Sequence, residues 1–279
     1  MDKQTVLLSN GTEMAYLERP GSGRRVVLLH GITDNARSYE PLFDRIASDA
    51  HIFALDFRGH GQSAKPETLY DTKAYADDVR QFIAEVADAP VLLAGHSLGG
   101  VVAIQVAGTA PDLVSQLLLE DPPIYFVNDL NDTYRTLFEG IVVMSQTLQD
   151  GNRSREDWFE IMARTPDPYS GKPGIETMGT DRINFRLDSI TMMKPKAMQD
   201  ALAGSLEWDA DAALSGIQCP WTVLVGNETL GAVVTAKEAD CMEHEHSSSH
   251  VIRVNDVGHL IHDQRSDAWL AAINGLIGA

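Results

Sequence analysis

Short apolar runs alternate with amphipathic stretches along most of this chain, and the two patterns predict different elements. The first residues alternate TVLL and EMAYLE around the turn SNGT, which predicts a β-hairpin. After PGSGRR comes VVLLH (26–30), short and wholly apolar, as suits a strand covered on both faces of a parallel sheet. Residues 36–48 follow a helical pattern, HIFALD (51–56) is another strand, and 73–87 (KAYADDVRQFIAEVA) space their apolar groups at helical period. VLLAG (91–95), a small and apolar buried helix over 99–109, and VSQLLLED (114–121) continue the rhythm. Strands alternating with helices predict the α/β class: a mostly parallel central sheet with helices on both faces.

From Pro122 to about Trp208 the rhythm breaks. This stretch has helical patches, no clear buried strand, and six of the nine methionines (Met144, Met162, Met178, Met192, Met193, Met198). The strand pattern resumes with WTVLVG (221–226) and HVIRVND (250–256), and an amphipathic helix near 263–277 ends it. The pattern divides the chain into a core domain, 1–122 and 209–279, and a helical cap or lid insertion, 123–208.

Charge narrows the partners. The 40 acidic residues against 22 Lys and Arg leave a formal net charge of -18, a surface that repels phosphate backbones and argues against nucleic acid. No apolar run reaches the length of a membrane span, and MDKQTVLLSNGTEM lacks the basic and apolar blocks of a signal peptide. The expectation is a cytoplasmic monomer or homodimer with no membrane partner. Cys219 and Cys241 make no disulfide framework and read as packing residues. His244, His246 and His250 cluster loosely but match no recognised ligand spacing, so no metal is expected.

The sharpest chemical signal is AGHSLGG (94–100), which fits G-x-S-x-G with Ser97 at its centre, between an apolar strand and an apolar helix. A sharp strand-to-helix turn lifts a serine hydroxyl out of the sheet, and flanking glycines let the backbone crowd there. The hydroxyl needs a base to take its proton. His259, in DVGHLIH on a glycine-marked loop after a late strand, fits best. His262 is the rival, expected inside the last helix; His60 lies in a loop that reads as structural, His96 is inside the serine turn and His30 ends a strand.

HGITDNARSYEPL (30–42), DFRGHGQSAKP (56–66), GHSLGG (95–100) and GHLIH (258–262) together resemble the α/β-hydrolase fold superfamily, in its order and over nearly the whole chain. The resemblance implies an α/β-hydrolase fold with a helical cap, and a nucleophilic serine rather than the carboxylate of haloalkane dehalogenases and epoxide hydrolases. It also implies an oxyanion hole from two backbone N–H groups, those of Leu98 and Ile32.

Most members carry the third catalytic group, an acid, on the loop after the strand that corresponds to WTVLVG. Here that loop reads NETLGAVV (227–234), where Glu228 is the only acid. A minority place it after the strand next to the elbow strand, which points to Asp121 in LLLEDPPIY. Period-two alternation sends Glu120 and Asp121 to opposite faces, and Pro122 is expected to hold Asp121 extended. Asp121 is the leading candidate and Glu228 the alternative; Glu120 is expected to pair with a base or meet solvent. The strand-end acid and HGIT also resemble those of acetamidomethylene-succinate hydrolase, an amide-cleaving member.

The insertion's methionines and aromatics suggest an apolar pocket, with Tyr125, Phe126, Phe138 and Trp158 as its candidate lining. Its six arginines (Arg135, Arg153, Arg155, Arg164, Arg182, Arg186) read mostly as solvated, with one free to clamp a carboxylate. The resulting expectation is hydrolysis of a small, largely apolar ester or lactone through an acyl-enzyme, with no metal or organic cofactor. Amide or carbon–carbon hydrolysis by the same triad is the alternative. A ligand-binding receptor on the same fold is the non-enzymatic one.

Overall fold

In a computed structural model that describes residues 1–88, 90–125, 132–245 and 249–278, eight strands form one sheet. They are β1 (Gln4–Leu7), β2 (Glu13–Arg19), β3 (Arg25–Leu29), β4 (His51–Leu55), β5 (Val91–His96), β6 (Val114–Glu120), β7 (Trp221–Val225) and β8 (Ser249–Arg253). Across the sheet they run β1-β2-β4-β3-β5-β6-β7-β8. The hairpin β1–β2 is antiparallel, β2 joins β4 antiparallel, and every other pairing is parallel. β5 is buried at all six positions, which is why its sequence is apolar throughout rather than alternating.

The order places a switch point at the centre of the sheet. From β3 the chain crosses to β4 on one side and then returns to β5 on the other, so the loops after β3 and β5 diverge and leave a crevice at their carboxyl ends. HGIT and the serine turn flank that crevice.

Helices cover both faces. Over one lie α1 (Thr72–Phe82) and α2 (Leu98–Thr109), whose buried residues share a core with the odd positions of β5 and β6. α2 is apolar nearly all round because it is enclosed. Asp71 caps α1 through the Ala74 N–H at 2.8 Å. The other face carries a second core, built on Tyr39, Phe43 and Trp269.

Between β6 and β7 the chain inserts α3 (Asp132–Gln149), α4 (Arg155–Arg164), α5 (Gly174–Thr177), α6 (Gly179–Thr191), α7 (Pro195–Leu202) and α8 (Ala210–Gly216). They dock on the core through the Asp34–Arg182 ion pair, Asn35 to Ser189 and Thr72 to the Leu206 carbonyl. After β7 come α9 (Ala236–Glu245), α10 (Ile261–Gln264) and α11 (Ser266–Ile277).

Three local expectations change. The helical pattern expected over 36–48 ends at Arg45, and residues 36–45 form a 3-10 helix with Pro41 inside it. The final helix is broken into α10 and α11 at Arg265, whose backbone leaves the helical region (φ -132, ψ 54). Asp121 is not extended but lies at φ 42. Pro122 disfavours the right-handed helical region for the residue before it, and aspartate is among the few residues that tolerate the left-handed one.

Candidate active site

Ser97 stands between β5 and α2 at φ 53, ψ -120, a strained conformation for a residue with a side chain. The close approach that creates it needs glycine. A Cβ on Gly95 would come within 2.2 Å of the Gly99 carbonyl oxygen, and one on Gly99 within 2.2 Å of that of Leu29. The Ser97 N–H is held by the Glu120 carbonyl at 3.0 Å, while Gly100 and Val101 donate to the Ser97 carbonyl. The hydroxyl has no hydrogen-bond partner among the described residues and lines a cavity of about 110 Å³.

His259 lines the same cavity. Its Nδ1 lies 2.6 Å from Asp121 Oδ2. Asp121 is wholly buried, and its other contacts explain how a carboxylate tolerates that: Val233 N–H donates to Oδ2 at 2.8 Å and Val234 N–H to Oδ1 at 3.1 Å. Both donors belong to the NETLGAVV loop. The loop with no aspartate thus supplies the backbone cradle for one on the neighbouring strand. Glu228 is engaged elsewhere, accepting from the Ala236 N–H at 2.8 Å at the start of α9.

Alternation separates the two acids of LLLEDPPIY. Glu120 turns to the other side, where it takes the His262 N–H at 2.8 Å and His262 Nδ1 at 2.8 and 3.0 Å. His262 is therefore not a free base; it is buried on α10 and committed to Glu120. Burial acts to lower the His262 imidazole, but the carboxylate overrides it and leaves its pKa raised. Burial acts to raise Glu120, and the facing imidazole brings it down to about 2. His96, Glu120 and His262 are the one group among the described residues with three potential metal-ligand atoms within 4.8 Å of one another. Both Glu120 oxygens are already taken by His262, so the set fits an internal ion pair better than a metal centre. In the last turn of α9, His244 Nδ1 lies 2.7 Å from the Asp240 carbonyl; His246 lies outside the described residues.

Three histidines not assigned a site role in the sequence support the walls. His30 Nε2 accepts from the Phe57 N–H at 3.0 Å, so the ring proton sits on Nδ1, which donates to the Gly31 carbonyl at 2.7 Å. That carbonyl shares a planar peptide with the Ile32 N–H, so fixing one aims the other. His60 Nε2 lies 2.8 Å from the Ile32 carbonyl. His96 Nε2 donates to the His259 carbonyl at 2.9 Å and its ring lies 4.6 Å from that of His259. Burial lowers His30 to about 4, with the nearby His60 adding to it. Burial also lowers His96 to about 3, so both rings are neutral near pH 7. Neither the Ile32 nor the Leu98 N–H finds an acceptor among the described residues.

The cavity wall is Gly31, Ile32, Thr33, His96, Ser97, Leu98, Pro123, Tyr134, Leu137, Phe138, Ile141, Arg186, Ala201, Leu206, Val233, His259 and Leu260. Ser97, His259, Ile32, Leu98 and Phe138 are thus brought together, with Asp121 behind His259. Two pocket expectations are corrected. Tyr125 is half-exposed and donates to Asp211 at 2.8 Å beside a different crevice. Trp158 is buried within the insertion, its Nε1 bound to Thr147 at 3.0 Å and its ring under Arg153. Both are aromatic, but one covers the insertion's outer rim and the other its own core. Phe126 lies outside the described residues. Tyr134 and Arg186 join the wall without having been singled out.

Residues 26–273 match the alpha/beta hydrolase family. The (E)-2-((N-methylformamido)methylene)succinate hydrolase of Acinetobacter baylyi is 27% identical over 97% of this chain and 98% of its own length. The 2-(acetamidomethylene)succinate hydrolase of Mesorhizobium japonicum is 39% identical over 40% of each chain. An esterase structure from Exiguobacterium antarcticum superposes with a TM-score of 0.75 at 19% identity, over all of both chains, which establishes likeness of fold.

Proposed function

The chain belongs to the alpha/beta hydrolase family, and on that premise we propose that it is a serine hydrolase that cleaves a small acyl compound through an acyl-enzyme on Ser97. The observation that carries this reading is the 2.6 Å contact between His259 Nδ1 and Asp121 Oδ2, beside a serine in a strained strand-to-helix turn. With Nδ1 donating to Asp121, the lone pair of His259 is on Nε2, where it accepts the Ser97 proton as Oγ attacks the carbonyl carbon. The C–O π pair moves to oxygen, and that charge is met by the Ile32 and Leu98 N–H groups. Collapse breaks the bond to the leaving group, which takes the proton from His259. Water, deprotonated by the same ring, then releases the acid and restores Ser97. The inserted helices α3, α6 and α7 act as the lid over this cavity, since each contributes to its wall.

The wall is mostly apolar and suits an ester or lactone with a hydrocarbon body. Amide cleavage is the second reading, favoured by the two succinate hydrolases named above, one of them matched almost end to end. The test is labelling with a fluorophosphonate probe alongside turnover of ester, lactone and amide panels. Wild-type protein should label, and Ser97→Ala should lose both labelling and turnover. Labelling that survives in Ser97→Ala, or none at all without turnover of any panel member, contradicts the reading.

A further inference from the structure

Arg186 lies on α6, one turn after Arg182, and lines the cavity of Ser97 and His259. Arg182 is ion-paired: its Nη2 donates to the two Asp34 oxygens at 3.1 and 3.0 Å, and its Nε, although without a hydrogen bond, lies 3.3 Å from Asp263. Arg186 makes no hydrogen bond or ion pair among the described residues, and its Nε is buried without a partner. A cation partly withdrawn from water and left without an ion pair is costly unless something else compensates it. Burial, with Arg182 beside it, lowers the Arg186 guanidinium to about 10, so it remains charged at neutral pH.

Its surroundings make the charge conspicuous. No other wall residue among those described bears a formal charge, in a chain whose net charge is -18. Apart from it the wall is largely apolar, with Phe138, Ile141 and Leu206 offering contact for a hydrocarbon spacer. A planar guanidinium facing an apolar cavity matches a carboxylate, which accepts two parallel N–H bonds.

We propose that Arg186 binds a carboxylate of the substrate, so that the acyl compound is anionic: a half-ester or half-amide of a small dicarboxylic acid. The proposal rests on the reading of Ser97 for the place of the scissile carbonyl, but the anion site itself does not depend on it. A dicarboxylate product keeps the recognised group and binds competitively at the same arginine.

The experiment compares kcat/KM for the mono-p-nitrophenyl esters of glutaric and adipic acid with that for p-nitrophenyl butyrate, corrected for spontaneous hydrolysis. It uses wild type, Arg186→Gln and Arg186→Lys. The anionic-to-neutral ratio should fall about 30- to 1,000-fold in Arg186→Gln. Arg186→Lys, which keeps the charge and loses the fork, should fall less. Glutarate or adipate should also raise the melting temperature of the wild type and not that of Arg186→Gln, a readout that needs no turnover. Arg186→Gln should melt no lower than the wild type, because it removes a half-buried charge that has no ion pair. An unchanged ratio, a dicarboxylate shift that persists without Arg186, or a large melting loss in both variants overturns the proposal. If no ester is turned over while the dicarboxylate shift depends on Arg186, the ester reading fails and the carboxylate site stands.

Discussion

Asp121 and Glu228 separate two ways of completing the same site. Asp121 Oδ2 is shared between His259 and the Val233 N–H, and Oδ1 faces the Val234 N–H. An asparagine of the same shape replaces one acceptor by a donor. Either a backbone N–H then faces a donor, or the imidazole is turned to the tautomer whose Nε2 already carries a proton and cannot accept that of Ser97. Asp121→Asn should therefore lower kcat by about 10³- to 10⁴-fold. Glu228→Gln, at the start of α9, should stay within about threefold of the wild type because a single surface cap is worth only ~1 kcal/mol of stability. Steady-state kinetics on an activated ester measure both, and an equal or greater loss in Glu228→Gln refutes the assignment of Asp121. At this scale the sequence was informative where side chains act. DPP beside a NETLGAVV loop that has no aspartate pointed to Asp121, and alternation foretold that Glu120 would face other partners. The cradle for Asp121 was not legible, because backbone N–H groups leave no mark on residue identity. Nor was the φ of 42, since a proline restricts its predecessor without choosing between the conformations that remain.

The loops after β3 and β4 and the last residue of β5 each place a buried histidine near the cavity: His30, His60 and His96. Burial holds all three below the ordinary histidine value, His30 to about 4 and His96 to about 3. In the unfolded chain these rings take protons below about pH 6.5, whereas the folded protein resists until its lowered values are reached. Their contribution is complete above about pH 6.5 and is lost as the pH falls towards 4 and 3. His262 has the opposite sign: its pKa is raised beside Glu120, so its contribution is present below about pH 6.5 and is lost as the pH rises through its folded value. Three lowered rings outweigh one raised ring, and unfolding free energy should fall by several kcal/mol, in order of magnitude, between pH 6.5 and 4. Urea titrations across that range check this; stability that is flat or rises on acidification contradicts it. Element boundaries were mostly legible because buried parallel strands are apolar throughout. The exceptions are local: residues 36–45 form a 3-10 helix, and the Arg265 backbone splits the last helix.

Across the whole molecule, the sheet order converts scattered sequence signals into one site. Ser97, Asp121 and His259 follow three different strands, and the parallel pairing of β5, β6, β7 and β8 brings the ends of those strands to one edge. Ile32 arrives from β3, on the far side of the switch point. The core half of the site was legible because it uses fixed positions on a regular scaffold. The lid half was not: Tyr125 and Trp158 look like pocket residues by composition, yet Tyr134 and Arg186 reach the cavity, because helix packing rather than residue type decides which face of an insertion looks inward. No helix among the described residues is long and apolar enough to cross a membrane. The central claim is that substrate is transferred to Ser97, and quenched-flow mass spectrometry of the protein mixed with a slowly deacylating p-nitrophenyl ester tests it most directly. The account expects one acyl mass on the peptide that contains Ser97 in the wild type, and none in Ser97→Ala. Turnover with Ser97 unmodified, or an acyl group on another residue that survives the Ser97→Ala change, would contradict it.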